Sequence, residues 1–142
     1  MHTHYQAYAG GPTLPPRLGA RPHLFALLGY FALALAVTYP LILHFTTSVP
    51  GDLIADRDQN LWNLWWAREA IFRPTNPFQT SLLYYPYGAP LYYHTLGLPL
   101  GIIGVLPQWL FGLPAAYNTV VLAAFTLSGY AAFRLALLYT DK

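Results

Sequence analysis

Three carboxylates, Asp52, Asp56 and Asp58, fall within seven residues of one another just beyond a long apolar run. Carboxylates grouped this way suit a hard divalent cation such as Mg²⁺ or Mn²⁺, with Asp56 and Asp58 as the nearest pair of ligands. They suit equally a general base that takes a proton from a hydroxyl. Asp56, followed three residues later by Gln59 and then an apolar run, is also the pattern of a capped helix start. Asp56 can therefore be an N-cap and Asp58 a first-turn charge with no chemistry attached. The helix dipole stabilises anions there by about 0.3–1 kcal/mol, which favours a metal ligand over a strong base.

The element that must position these groups is a helix near residues 57–72, which carries three of the four tryptophans. Its apolar residues cover most of the circumference, leaving a narrow seam at helical spacing: Asp56, Asn60, Asn63 and Ala67. A helix greasy on most sides, with three Trp and a thin polar seam, suits a membrane surface. Arg57, Arg68 and Arg73 could hold a lipid phosphate, or Arg68 and Arg73 could simply snorkel to headgroups. After Arg73-Pro74 the chain turns and reaches a stretch with five tyrosines in ten residues, Tyr84 to Tyr93, Tyr85 among them. Broken by Pro86 and Pro90, it is no regular span. Its flat amphipathic rings suit a headgroup layer or stacking on sugar faces. His94 stands alone at the junction with the next apolar run, open to an interfacial, a structural or a proton-transfer role.

The rest of the chain points to a bilayer. Charged residues make up 8% of the sequence and hydrophobic ones 56%, and none of the 60 residues from Pro74 to Phe133 is charged. Soluble domains carry about 25% charge. The reading is an all-α membrane protein with about three transmembrane helices, near residues 24–43, 96–113 and 115–139. An extracytoplasmic loop, 44–95, holds the interfacial helix. Residues 1–22, rich in Gly and Pro, read as a disordered cytoplasmic tail; His2 and His4 there could grip a transition metal. Arg17 and Arg21 ahead of the first span put the N-terminus in the cytoplasm by the positive-inside rule. Three crossings would leave Arg134 and Lys142 outside, against that rule, whereas a re-entrant 96–113 segment would bring them back to the cytoplasm. The net charge of +2, with no basic stripe, argues against nucleic acid. Zero cysteines exclude disulfides and thiol catalysis. Three helices and a long loop make a poor self-contained bundle, so the chain is expected to be a fragment of a larger polytopic protein.

The order of a first span, a long external loop with an early acidic cluster, a Trp-rich amphipathic segment and then paired spans resembles the N-terminal part of bacterial GT-C glycosyltransferases and the related YfhO-like membrane proteins. The matching text is Gly51-Asp52, Asp56-x-x-Gln59-Asn60-Leu61-Trp62-Asn63-Leu64-Trp65-Trp66, Asn76-Pro77-Phe78-x-Thr80, Tyr85-Pro86-Tyr87-Gly88 and Ala116-Tyr117-Asn118. The resemblance implies a multi-pass protein of the bacterial cytoplasmic membrane that moves a sugar, with inversion, from a polyprenyl-phosphate donor to an extracytoplasmic acceptor. An acidic residue of the first external loop then serves as base or metal ligand, a role that falls by position to Asp56, then Asp58 and Asp52. Arg57, Asn60, Asn63, Tyr85 and His94 are the candidate substrate-binding residues. The remaining C-terminal spans of the same protein would supply the donor pocket, and the fragment alone is expected to be inactive. A non-catalytic polytopic protein with a scaffold or assembly role is the alternative.

Overall fold

A computed structural model describes residues 19–51, 56–73 and 75–139. The expected tail up to residue 18, Asp52, and the orienting residues Arg17 and Lys142 lie outside the described residues. The fold is mostly helical: α1 (Ala20–Val37), a 3₁₀ turn (Leu41–His44), α2 (Arg57–Phe72), the short strands β1 (Gln79–Thr80) and β2 (Ala89–Pro90), α3 (Leu98–Phe111) and α4 (Leu113–Tyr139).

Two of these helices are long and apolar enough to cross a membrane. α1 has 18 residues and α4 has 27, about 27 Å and 40 Å at 1.5 Å per residue, against a hydrocarbon core of about 30 Å. Only 6% of the apolar window in each is buried within the chain. A helix at the centre of a soluble protein would be covered by its neighbours, whereas here Leu24, Phe25, Leu28, Leu33, Phe125 and Leu127 all stand exposed. That pattern suits a hydrocarbon solvent and associates the chain with a membrane.

The expected first span is shorter at its far end than residue 43. The α-helix stops at Val37, where Pro40 cannot donate to the ladder, and the Thr38 hydroxyl donates back to Ala34 O at 2.8 Å. At its near end the helix takes in Arg21 and Pro22, assigned to the tail by sequence. Proline is tolerated in a first turn, whose N–H groups have no intrahelical acceptor. The expected second span, 96–113, is a helix of 14 residues, about 21 Å long and short of a bilayer crossing. Gly97 begins it in the left-handed region (φ +55°) and Gly112 (φ +90°) ends it, with the Gly112 N–H donating to Gln108 O.

α1 and α4 run antiparallel. His23, near the start of α1, lies against Tyr130 and Phe133 near the end of α4, and the Tyr130 hydroxyl meets His23 Nδ1 at 3.1 Å. Tyr30 packs so closely on Gly129 that a Cβ there would enter its ring. At the other end, Asn118 Nδ2 donates to Phe45 O and Ser48 O, both at 2.8 Å. One residue, Gly112, links α3 to α4, and the two fold back on each other; a Cβ on Gly104 would lie 3.6 Å from Ala116 Cβ and 3.1 Å from Leu64 Cδ2. α2 crosses this hairpin, with Ala67 seated directly on Gly101. Small residues at these crossings let backbones approach where no large side chain could intervene.

A second, smaller core joins α2 to the loop that follows it. Trp66, Ala70, Leu91 and Leu96 are buried together, with Trp62, Trp65, Leu83 and Leu98 packed around them. The antiparallel pairs Gln79–Pro90 and Thr80–Ala89 close the loop. Gly88 (φ +76°) is required beside them, because a Cβ there would strike Thr80 O at 2.8 Å.

Candidate functional site around Asn63 and His94

The second half of the thin polar seam of α2 turns inward, while Asp56 and Asn60 stay exposed. Asn63 is 4% exposed and Ala67 is fully buried, because that half is the face that packs on the 94–97 segment, α3 and α4. Asn63 Nδ2 donates to Thr95 O at 2.8 Å, and Asn63 Oδ1 faces His94 Nε2 at 2.8 Å. One turn earlier, Gln59 Nε2 donates to Thr95 Oγ1 at 2.6 Å. The capping box suggested by Asp56 and Gln59 does not form: the Gln59 amide is spent on Thr95, and Asp56 makes no side-chain cap bond. Asp56 does open the helix through its carbonyl, which accepts the Asn60 N–H at 2.9 Å.

The tryptophans are ordered by the same loop rather than splayed outward. Trp62 and Trp66 stack with ring centroids 5.8 Å apart and planes 8° from parallel. Trp62 also meets the His94 ring edge-on at 5.8 Å. Trp66, nearly buried, donates its indole N–H to Pro77 O at 2.9 Å, which satisfies the one polar atom of the ring.

Beside the seam lies a cavity of about 230 Å³, whose polar wall is Asn60, Asn63 and Thr95 and whose apolar wall includes Leu64, Leu100 and Val120. A concave site with a few convergent polar groups on an apolar lining is the usual form of a small-ligand pocket. Asn63, with Asn60 beside it on the cavity wall and His94 at its carbonyl oxygen, is part of this site. Tyr85 is not; it lies 85% exposed in the Tyr84–Tyr87 turn, alongside Tyr84, Tyr87 and Tyr93.

The acidic residues are less organised. Asp58 is held by its neighbour, with Arg57 Nε donating to Oδ1 at 2.9 Å, and the Arg57 side chain is only 17% exposed. Arg57 also reaches Gly51 O at 3.4 Å, so any anion must compete with these partners. Asp56 is exposed. Among the described residues, no three of His, Cys, Asp and Glu come together as a metal-ligand group. Mg²⁺ and Mn²⁺ favour about six oxygen ligands. Two carboxylates, one of them bridged to a guanidinium, do not fit such a site on their own. At the far end of α2, Glu69 pairs with Arg73 at 3.0 Å and more loosely with Arg68 at 3.6 Å. The two cations are already partly neutralised there.

Several partners escaped the sequence reading. Thr95, the acceptor for both Gln59 and Asn63, carries no signal of its own in an apolar-to-loop junction. Gln108, 7% exposed with Oε1 buried and unbonded, was readable as the one side-chain amide in the 96–113 run. Asn118, fully buried, has Oδ1 without a partner while its Nδ2 serves two carbonyls.

No protein-family model matches this chain, and no curated protein or solved structure matches it either.

Proposed function

We propose that the chain is the N-terminal membrane segment of a GT-C-like glycosyltransferase of the bacterial cytoplasmic membrane. In this reading α2 and its loop form an extracytoplasmic platform where a polyprenyl-phosphate-linked sugar meets its acceptor. The observation that carries it is the antiparallel pairing of α1 and α4. This pairing leaves Arg21 and Arg134 towards one end, while α2 and the cavity beside Asn60 and Asn63 lie against the other half of α4. With Arg21 and Arg134 cytoplasmic, both ends obey the positive-inside rule. α3 then does not cross, and two spans flank one external segment in place of three spans. An external loop with an early carboxylate is what the resemblance calls for.

Asp56, exposed at the helix start one turn before Asn60 and two before Asn63, binds and orients the acceptor. The amides of Asn60 and Asn63 line the polar wall of the pocket, whose apolar wall suits the lipid end of a donor. Asp58 and Arg57 act as a pair that fixes the helix start. Further spans of the same protein complete the donor site, so the segment alone is inactive. The second reading, a non-catalytic membrane protein, is favoured by the self-sufficiency of the polar groups: Asp58 with Arg57, Asn63 with His94 and Thr95.

Sugar transfer by the full-length protein separates the two, and Asp56→Asn tests the role given to Asp56. Loss of sugar transfer of a hundredfold or more, with unchanged membrane insertion, supports the enzyme. Transfer at the wild-type rate removes Asp56 from the chemistry.

A further inference from the structure

The hydrogen bonds around Asn63 fix more than packing. Thr95 O can only accept, so the Asn63 atom facing it is the NH₂ group, and the Asn63 atom facing His94 is the carbonyl oxygen. That oxygen can only accept as well, so His94 Nε2, 2.8 Å away, carries the hydrogen. A neutral imidazole protonated at Nε2 has its lone pair on Nδ1. Nδ1 has no partner among the described residues and is not one of the buried, unbonded atoms, so it keeps access to solvent. The ring plane is held by Trp62, edge-on at 86°, and Thr95 is itself held by Gln59. An imidazole whose one nitrogen is bonded to an anchored amide oxygen while the other stays open is the arrangement of an oriented base.

We propose that His94 takes the acceptor's proton through Nδ1, with Asn63 as its positioning residue; this rests on the sugar-transfer reading of the same site. As the acceptor oxygen bonds to the anomeric carbon, its O–H bond breaks and the proton passes to Nδ1. The bond from that carbon to the phosphate oxygen breaks in turn, and the phosphate leaves with the electron pair. Asp56 lies about 10 Å further along the helix axis, two turns from Asn63, and so meets a different part of the acceptor.

The test uses ¹⁵N-histidine NMR on the full chain in lipid nanodiscs, with His94→Gln to assign the signal. The expected result is a neutral ring protonated at Nε2, whose proton exchanges slowly and becomes fast-exchanging in Asn63→Leu. A ring protonated at Nδ1, or an Nε2 proton that already exchanges as fast in the wild type, overturns the proposal. In the full-length enzyme His94→Gln should lower transfer at least a hundredfold, mainly in kcat, and undiminished transfer also overturns it. If the wild-type enzyme transfers no sugar, the glycosyltransferase reading fails on its own account. The NMR result then still decides whether Nδ1 is the open, proton-accepting nitrogen.

Discussion

Replacing Gly101 with Ala should weaken the protein, although Ala is the better helix former. The change gains about 0.8–1 kcal/mol of helix propensity. The new Cβ, however, lands on the Cβ of Ala67, which is fully buried and cannot swing away. Parting two packed helices to admit a methyl group costs about 1–3 kcal/mol. The net loss is on the order of 1 kcal/mol, a severalfold shift in the folded-to-unfolded ratio. Gly29 provides the control. It sits inside α1 with nothing within 4 Å of a built Cβ, so Gly29→Ala makes the same chemical change with no clash and should be neutral or stabilising. Unfolding in mild detergent, followed by the fluorescence of the α2 tryptophans, measures both. Adding Ala67→Gly to Gly101→Ala should recover stability relative to the sum of the two single losses, with a coupling of about 1 kcal/mol or more. Gly101→Ala as stable as Gly29→Ala, or no coupling with Ala67→Gly, would refute the close α2–α3 crossing.

Four further outcomes are expected. Asn118→Leu removes the donor to Phe45 O and Ser48 O; the cost should be about 1–3 kcal/mol, with faster hydrogen exchange in the 44–48 turn. Trp66→Phe keeps the stacking on Trp62 but strands Pro77 O, a loss of about 1 kcal/mol, read in the same unfolding assay. Gly129→Ala should loosen α1 from α4 by driving a methyl group into the Tyr30 ring; reduced cross-linking between cysteines at His23 and Tyr130 would report it. Because the chain has no cysteine, single cysteines can be placed at Arg21, Arg134 and Tyr87 for impermeant labelling. The first two should react from one side of the membrane and Tyr87 from the other. Reaction of Arg134→Cys on the Tyr87 side would reverse the two-crossing arrangement.

What the sequence made legible follows from how local each signal is. The two long apolar helices are written in uninterrupted runs around Leu24 to Val37 and Ala115 to Tyr139, and both were visible. The α2 boundaries were visible too, because Asp56 and the Arg73-Pro74 turn bracket them. The direction of the seam was not. Asn60, Asn63 and Ala67 have the spacing of a face, but spacing does not say whether that face meets water or another helix. The partners that decided it, Thr95, His94 and Gly101, lie more than 30 residues away. The end of α1 at Val37 was foreshadowed by Pro40. The length of α3 is hinted at by Gly97, Pro99 and Gly112, but these residues do not by themselves fix where the helix begins. Of the site, Asn60, Asn63 and His94 could be proposed from residue type and position; the bonding order that sets the His94 tautomer depends on Thr95 O and could not.

The pairing of α1 with α4 also bears on how the chain is made. The ribosome finishes α1 at Val37 and does not begin α4 until Leu113, 76 residues later (113 − 37). At about 5–20 residues per second, α4 begins some 4–15 seconds after the first helix ends, and the surface that Gly129 and Tyr130 will offer it is made later still. During that interval the aromatic and amphipathic faces of Phe25, Tyr30 and Phe31 have only lipid or the insertion machinery to rest against. A nascent chain stalled before α4 emerges is therefore the state in which a chaperone or insertase would find α1 unaccompanied.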